Sequence, residues 1–224
     1  FIMGKMKTKS ILACAVLASV LAGGFGMGLS RAEAADFTYK ITDKDSKTVK
    51  EGTWNGQSDL KMNELGDGTG ITLEVWGEGA TSNSNIFGYY DSVTINGKTI
   101  IFNSGKVSEI RGGVSNYGDS SDNIVNINGG EVSGKVVGGN VLRGNGNTNN
   151  NVVNINHGNV DMVFGGDSPS GTANDNSVKI INGSVGSVRG GKSGPGNVSG
   201  NRVEISGGTV SGNIYGGESS FGNV

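Results

Sequence analysis

An internal repeat constrains the fold of this chain more than any other feature of its sequence. Four segments read NIVNINGGEVSGKVVGG, NVVNINHGNVDMVFGG, NSVKIINGSVGSVRGG and NRVEISGGTVSGNIYGG, so the apolar residues recur while most polar ones change. Weaker copies begin upstream at Gly70 and Thr99. A period in this range predicts a solenoid or another array of stacked units. The opening asparagines stand 28, 25 and 25 residues apart, at Asn123, Asn151, Asn176 and Asn201.

Each repeat contains three short bursts of alternating apolar residues. In the first burst Val153 and Ile155 flank Asn154, and the same alternation recurs in the other copies. A period of two puts the aliphatic side chains on one face of a strand and the variable residue on the other. Most of the aliphatic residues are β-branched, which favours strands over helices. We therefore predict three short strands in each unit, with the second centred on Val160 and the third ending at Val163.

Strands this short cannot bury an apolar face alone, but stacked coils can. Coils about 4.8 Å apart place each residue on its own copy, so inward positions repeat while outward ones vary. The sequence therefore predicts an all-β fold, a parallel β-helix (solenoid) of about six coils of roughly 25 residues over 70–224. Residues 35–69, which contain FTYKI and a tryptophan, are predicted to form an N-terminal β cap, because an open first coil would expose unpaired strand edges.

The glycines and asparagines of the repeat are expected at its corners. The chain has 42 glycines among 224 residues without the every-third period of collagen, which is typical of a turn-dense β-protein once disorder is excluded. We expect Gly pairs such as Gly138–Gly139 to adopt positive φ at tight bends, and the opening Asn of each unit to tolerate the left-handed region. Stacked Asn amides can also form a hydrogen-bonded ladder. Segments 140–151 and 167–175 are predicted loops on one side of the rod.

The first 34 residues have the pattern of a cleaved export signal. Three lysines precede the apolar stretch ILACAVLASVLA, and AEA at 32–34 fits a cleavage site after Ala34. A membrane anchor is the alternative, because apolar residues continue to Leu29, but four glycines weaken that part as a helix. Cys14 faintly resembles a lipoprotein box but lies too close to the lysines, so we interpret it as an apolar residue of the signal. We therefore expect residues 1–34 to be a signal peptide and the chain to be exported.

The sequence is expected to be an N-terminal fragment of a longer protein. Phe1 is not an initiator, so we expect translation to begin at Met3 or Met6. The final GGESSFGNV matches GGKSGPGNV one repeat earlier, which continues into further residues, so we expect the sequence to break off inside a loop at Val224.

Charge and cysteine content limit the classes of partner and of stabilising bond that we expect. Without residues 1–34, which hold four basic residues and one acidic residue, 14 basic and 19 acidic residues remain, and no cysteine does. A disulfide or a Cys-ligated metal is therefore not expected in the exported part. Because no run of Lys or Arg forms a basic patch, nucleic acid is not an expected partner.

Side chains with catalytic or metal-binding potential are scattered along the chain. His157 is the one histidine and is expected at a bend, since a lone His makes neither a metal site nor a triad. Asp119 and Asp122 supply too few ligands for a calcium site. In our alignment the copies of His157 are Gly129, Ile181 and Gly207.

Charged outward columns are expected to be solvated and to lack a reactive pair. The column after the Gly pair mixes apolar, acidic and basic residues, and Arg111 and Arg189 share a register that other residue types interrupt. Glycoside hydrolysis needs converging carboxylates, which the outward column of the first strand does not offer. We therefore predict no catalytic, cofactor-binding or metal-binding residues, and no cofactor. The column after the Gly pair is Val114, Asn140, Asp167, Lys192 and Glu218; that of the first strand is Thr72, Asn126, Asn154, Lys179 and Glu204.

An export signal, a capped run of V-x-I…G-x-V…GG coils, abundant Gly and Asn, and no cysteine after position 34 together resemble one family. Over residues 35–224 the chain is similar to the passenger domains of autotransporters, the adhesin-like proteins of type V secretion in Gram-negative bacteria. The resemblance implies a right-handed parallel β-helix, displayed at the cell surface or outer membrane or released from it. It also implies an outer-membrane translocator barrel encoded after the sequence in hand.

Three functions remain open on the sequence. The first is a non-enzymatic surface or secreted rod that acts in adhesion or self-association, with host or bacterial surface glycans or proteins as partners. The second is a polysaccharide-cleaving β-helix enzyme, a lyase or glycoside hydrolase. The third is a stalk that carries a functional domain elsewhere on the complete chain. We favour the first because polar ladders and one-sided loops offer many weak contacts whose avidity adds up.

Overall fold

The computed structural model describes residues 35–65 and 71–224, whose regular secondary structure is almost entirely β-strand. Their only helix, α1, covers Met62–Leu65. The strands are β1 Phe37–Thr42, β2 Thr48–Trp54, β3 Leu60–Lys61, β4 Thr72–Trp76, β5 Ile86–Asp91, β6 Ile95–Asn96, β7 Thr99–Phe102, β8 Lys106–Val107, β9 Ile110–Ser115, β10 Ser120–Ser121, β11 Ile124–Ile127, β12 Glu131–Val141, β13 Val152–Ile155, β14 Asn159–Ser168, β15 Ser177–Ile180, β16 Ser184–Ser193, β17 Arg202–Ile205, β18 Thr209–Val210 and β19 Ile214–Ser219.

The strands stack into a parallel β-solenoid of about six turns, with a spacing of about 25 residues. One side is an eight-stranded sheet in the order β17-β15-β13-β11-β7-β4-β1-β2. A second side is a nine-stranded sheet that runs from β18 to β3, with β19 and β8 paired onto it. A two-stranded sheet, β10-β6, begins a third side. The predicted solenoid is therefore confirmed.

Equivalent aliphatic residues lie over one another in the eight-stranded sheet, as the repeat predicts. Val125 pairs with Val153, which pairs with Val178, and the latter pairs with Val203. The first three are 0% exposed, and their side chains belong to one continuous core. Burying a valine is worth about 1.5–3 kcal/mol relative to leaving it in water, so the ladder is a main source of stability.

Two of the described coils have the three separate strands that the repeat predicts, β7-β8-β9 and β17-β18-β19, whereas three coils are divided differently. The second and third apolar bursts lie in one strand, such as β12, where the register shifts between Val132 and Lys135. The third side comes instead from the ends of segments assigned to loops, because Thr148 N donates to Thr172 O at 2.8 Å and Ala173 N donates to Asn197 O at 3.1 Å. Small inward side chains fill this side of the core, so its sequence lacks an aliphatic pattern. They are Ile95, Ser120, Thr148, Ala173 and Val198.

The Gly pairs do not form the bends, and that prediction is wrong. Gly138–Gly139 lies inside β12, and a Cβ added to Gly138 would be 2.5 Å from Gly165 O and 2.8 Å from the Cβ of Asn151. The pair is Gly because neighbouring coils approach each other closely there. Among the described residues, positive φ recurs one bend earlier in each coil, at Gly105, Gly130, Gly158, Gly183 and Gly208.

The opening asparagines form a buried ladder, as predicted. Asn123 Nδ2 donates to Asn151 Oδ1 at 3.1 Å, and Asn151 Nδ2 donates to Asn176 Oδ1 at 3.0 Å. The ladder continues from Asn176 to Asn201 at 2.9 Å. The expectation of left-handed backbone at these asparagines is wrong by one residue, because the preceding position carries the positive φ. These preceding residues are Asp122, Asn150, Asp175 and Gly200.

The N-terminal part of the described chain is a hairpin on the first coil. β1 pairs antiparallel with β2 and with β4, and the rings of Phe37 and Trp54 lie 4.8 Å apart. Parallel stacking begins with β3, which pairs with β5 and lies inside segment 35–69. The predicted signal peptide, residues 1–34, lies outside the described residues. No helix in ranges 35–65 and 71–224 is long and apolar enough to span a membrane.

Candidate functional site

His157, Asp119 and Asp122, the residues considered as possible metal ligands or catalytic groups, do not come together in one site. His157 is exposed at the bend between β13 and β14, and pairing on both sides of that bend aligns it with Asn182 rather than Ile181. Asp119 accepts a hydrogen bond from Asn147 N at 2.7 Å, so its carboxylate braces the third side. Within the described ranges, no three His, Cys, Asp or Glu side chains are grouped closely enough to hold a metal ion.

The outward column of the first strand also needs a correction. Thr72 pairs with Thr99, whereas the residue that aligns with Asn126 through Ile101 is Glu74. The weak first repeat misplaced this register by two residues. The corrected column still has no two carboxylates on adjacent coils, since its members are Glu74, Ile101, Asn126, Asn154, Lys179 and Glu204.

One column on the outer face of the nine-stranded sheet combines cations with aromatic rings. The strands from β5 to β19 pair in parallel there, so each member lies over the next one. We call it the cation–aromatic column. Its members are Phe87, Arg111, Val137, Phe164, Arg189 and Tyr215.

The expectation that this face is solvated is wrong. Phe87, Val137 and Phe164 are 5%, 1% and 2% exposed, and Asn140 in the adjacent column is 6% exposed. Long cationic side chains cover the rings with their aliphatic stems while their charged ends stay near the surface. The column is therefore packed as a second, outer layer of the structure and differs from an ordinary polar face.

Phe164 is the centre of this layer, with three cations around its ring. The Nζ atoms of Lys135 and Lys192 are 5.4 and 5.9 Å from the ring centroid, and Cζ of Arg189 is 5.3 Å from it. Arg189 also lies 5.4 Å from the ring of Tyr215. Each such contact is worth about 0.5–2 kcal/mol, so the aromatic face holds the cations in a fixed arrangement.

The two arginines form ion pairs with carboxylates, whereas neither lysine forms an ion pair within the described ranges. Arg111 forms an ion pair with Glu109, and Arg189 forms one with Glu218. Arg111 Nη1 also donates to Asn140 Oδ1 at 2.9 Å. Its Nε is buried and has no hydrogen-bond partner among the described residues. The cluster therefore has spare capacity for an acceptor.

Asp167 brings one carboxylate into this cationic cluster. It pairs with Asn140 on one coil and with Lys192 on the next. Burial raises the pKa of Asp167 above its ordinary value, and the charges of Lys192, Lys135, Arg111 and Arg189 only partly oppose that rise. Desolvation of the carboxylate therefore outweighs the attraction of the cations around it.

A cavity of about 240 Å³ opens beside the cluster. Strands β9, β12 and β14 supply its floor, and the start of segment 140–151 together with segment 167–175 supplies its walls. It combines cationic donors, one amide and one carboxylate with apolar side chains, a composition typical of small-ligand sites. The lining residues are Arg111, Lys135, Val137, Asn140, Val141, Leu142, Asp167 and Pro169.

A wider depression of about 440 Å³ lies over the register shift of β12. The charged side chains that line it are Glu131 and Asp161, and Lys106 forms an ion pair with Glu131 at 2.7 Å. It has no aromatic or cationic lining residue and is open to solvent. We therefore take the smaller cavity, which Arg111 and Lys135 line, as the candidate site.

Sequence reasoning identified the shared register of Arg111 and Arg189 but missed Lys135 and the burial of Phe164. Lys135 follows the register shift, so carrying the pairing of Val132 with Val160 forward aligns it with the buried Val163, whereas it pairs with Met162. The signal that could have revealed the site is the coincidence of Phe, Arg and Lys around one Gly pair in consecutive coils.

Comparison with known protein families gives no match, and neither curated proteins nor solved structures include one similar to this chain. What the chain does must therefore be inferred from its own geometry.

Proposed function

We propose that this chain is a non-enzymatic, exported rod of a Gram-negative bacterium, an autotransporter passenger that acts in adhesion or self-association at the cell surface or after release. The observation that carries the proposal is the cation–aromatic column on the outer face of the solenoid. Stacked coils repeat its binding groups along one axis, so an extended partner meets several weak contacts at once. Linked contacts of this kind multiply, because each later contact is intramolecular.

The candidate site favours binding over hydrolysis. Asp167 is the one carboxylate among the residues that line the cavity. Hydrolysis of a glycosidic bond ordinarily uses two carboxyl groups on opposite sides of that bond. The cations are instead fixed by the ring of Phe164, which suits the holding of a charged partner.

Asp167 also supports the second candidate function, a polysaccharide-cleaving enzyme. A carboxyl group with a raised pKa, in a cavity beside cations, is the kind of perturbed group that marks catalytic sites. Incubation of the purified chain with a panel of polysaccharides, followed by size analysis, tests this candidate. Shortened glycan that disappears with Asp167→Asn would establish an enzyme and overturn the non-enzymatic proposal.

The adhesion proposal is tested with beads that carry the purified full chain. We expect retention of these beads on bacterial or host cells, or on one another, above that of beads with an unrelated protein. Loss of retention after glycosidase treatment of the cells would identify glycans as partners. Beads that neither bind cells nor self-associate would contradict the proposal.

Export is tested separately by expression in a Gram-negative host and N-terminal sequencing of the protein outside the cytoplasm. We expect the first residue to be Ala35, because cleavage is predicted after Ala34. Full-length protein that remains in the cytoplasm would contradict the export part of the proposal.

A further inference from the structure

We infer that the cavity beside Phe164 binds a carboxylate-bearing sugar of an acidic polysaccharide, with Lys135 and Arg111 as the carboxylate-binding residues. This inference rests on the proposed adhesive function and specifies its ligand class. Four features of the site carry it: an uncompensated charge, an unsatisfied donor, the mixed lining of the cavity, and the repetition of cations along the axis.

The cluster holds four cations against three carboxylates, so one positive charge is not balanced. The cations are Arg111, Lys135, Arg189 and Lys192, and the carboxylates are those of Glu109, Asp167 and Glu218. Arg111 and Arg189 are neutralised by Glu109 and Glu218, but Lys135 has no ion pair with any carboxylate of the described residues. Its ammonium lies 5.4 Å from the centroid of the Phe164 ring, and its side chain lines the cavity. Fixed and partly desolvated, this cation gains more from an anionic ligand than a mobile surface lysine does.

Arg111 provides the unsatisfied donor. Its Nη1 donates to Asn140, while its buried Nε–H lacks an acceptor within the part of the chain that the structure describes. Nearly all buried polar groups in folded proteins are hydrogen-bonded, so this N–H is a donor that a water molecule or a ligand can satisfy. The Nη1 and Nη2 of Arg111 are engaged by Asn140 and Glu109, so the Nε–H leaves one hydrogen bond for a ligand, and a charged carboxylate strengthens that bond more than a neutral hydroxyl does.

The remaining lining fits one sugar ring. The cavity, about 240 Å³, is smaller than the sites that hold drug-sized ligands, which begin at about 300 Å³. Asp167 supplies an acceptor for hydroxyl groups, whereas Val137, Leu142 and Pro169 supply an apolar wall. Sugars present both kinds of surface, because C–H groups and hydroxyls lie on different sides of the ring.

The cations continue along the axis, which favours a polymer over a free sugar. Lys192 pairs with Asp167 one coil beyond the cavity, and Arg189 pairs with Phe164 on the same strands. The coils of β9, β12 and β16 therefore carry a series of cationic groups, with the carboxylate of Asp167 on the coil of β14 between the last two. A linear polysaccharide with a carboxylate on each sugar can place successive charges along this series.

Binding of alginate to the purified full chain tests the inference, because every sugar of alginate carries a carboxylate. Dextran is the neutral control and dextran sulfate the control for a different anion. We expect alginate to bind more tightly than dextran sulfate, and dextran not to bind. In the variant Lys135→Gln we expect alginate affinity to fall about tenfold, since one charge-assisted hydrogen bond is lost.

Lys106→Gln is the matched variant, because Lys106 lies on the same sheet but outside the cavity, is half-buried, and forms an ion pair with Glu131. It should leave alginate affinity unchanged. Equal effects of Lys135→Gln and Lys106→Gln, or equal binding of alginate, dextran sulfate and duplex DNA, would show nonspecific attraction and overturn the inference. Circular dichroism spectra of both variants check that they fold.

The outcomes separate this inference from the adhesive function. Suppose that beads with Lys135→Gln and beads with the parent protein are retained equally on cells, and that neither protein binds alginate. The proposed ligand class is then wrong, while the adhesive function stands. If alginate binds as expected but is shortened during incubation, the site assignment stands and the non-enzymatic function fails.

Discussion

Replacement of Asn151 by alanine should destabilise the solenoid by about 4 kcal/mol. The side chain is 0% exposed and takes part in four hydrogen bonds of 3.0–3.1 Å, which join it to Asn123, Ser120 and Asn176. A net value of about 1 kcal/mol for each bond gives that total. The largest single part comes from Asn123, whose buried backbone N–H would lose its acceptor, a cost of about 1–3 kcal/mol by itself.

Asn154→Ala is the matched control, because Asn154 belongs to the same strand region but faces outward. Its amide donates to Asn126 Oδ1 at 2.8 Å and is half-buried, so its loss should cost about 1 kcal/mol or less. Urea unfolding of the full chain, followed by far-UV circular dichroism, measures both variants. Native-state hydrogen exchange at the Asn123 amide should accelerate only in Asn151→Ala. If the two variants lose equal stability, the buried ladder does not support the coils in the way described.

Three further changes test other features. Gly165→Ala puts a Cβ 2.2 Å from a carbonyl oxygen of the next coil and should lower the free energy of unfolding, measured in urea, by about 1–3 kcal/mol or more. Gly216→Ala should be tolerated, because the nearest atom to its Cβ lies 3.8 Å away. If Gly216→Ala were the more destabilising variant, close approach of the coils would not be the reason for glycine. Ile155→Ala removes a side chain that is 0% exposed and should cost about 2–5 kcal/mol, well above the same change at Ile205, which is 41% exposed; equal thermal shifts would refute the stacked core. Burial raises the pKa of Asp167 in the folded state, so ionisation of this carboxyl opposes folding. The wild type therefore has its full stability below the pKa that Asp167 has in the unfolded state, and loses part of it as the pH rises through the pKa of the folded state. The melting temperature of Asp167→Asn should therefore rise relative to that of the wild type as the pH increases above about 4, the ordinary pKa of an aspartate, and a relative fall would contradict the direction of the shift.

The apolar columns could be predicted from the sequence because each member meets its own copy. Val125, Val153 and Val178 occupy equivalent places in the repeats and are also in register in the sheet. The same logic predicted the Asn ladder, since amides of equal length that stack at a fixed spacing can pair along the axis.

The structural role of the Gly pair could not be predicted from the sequence. Glycine serves both where φ is positive and where a Cβ has no space, and sequence alone does not separate the two uses. Gly130 serves the first use and Gly138 the second, although both recur with the same period.

The candidate site could not be predicted because it depends on a register shift between neighbouring strands, which the alternation of residues within one strand does not reveal. The register shift after Val132 moves Lys135 onto the ring of Phe164, and the chain beyond the Gly pair encloses the cavity. The third side was missed for a related reason, since its inward residues, such as Ser120 and Thr148, are small or polar and give no aliphatic pattern.

Each coil of the solenoid contacts only the coil before it and the coil after it, with the same pairing on either side. The cross-section therefore imposes no limit on the number of coils. Duplication or deletion of one whole unit in a gene would lengthen or shorten the rod while every surviving interface keeps its type. The distance that such a rod spans can thus be changed by recombination without any need to redesign its interior.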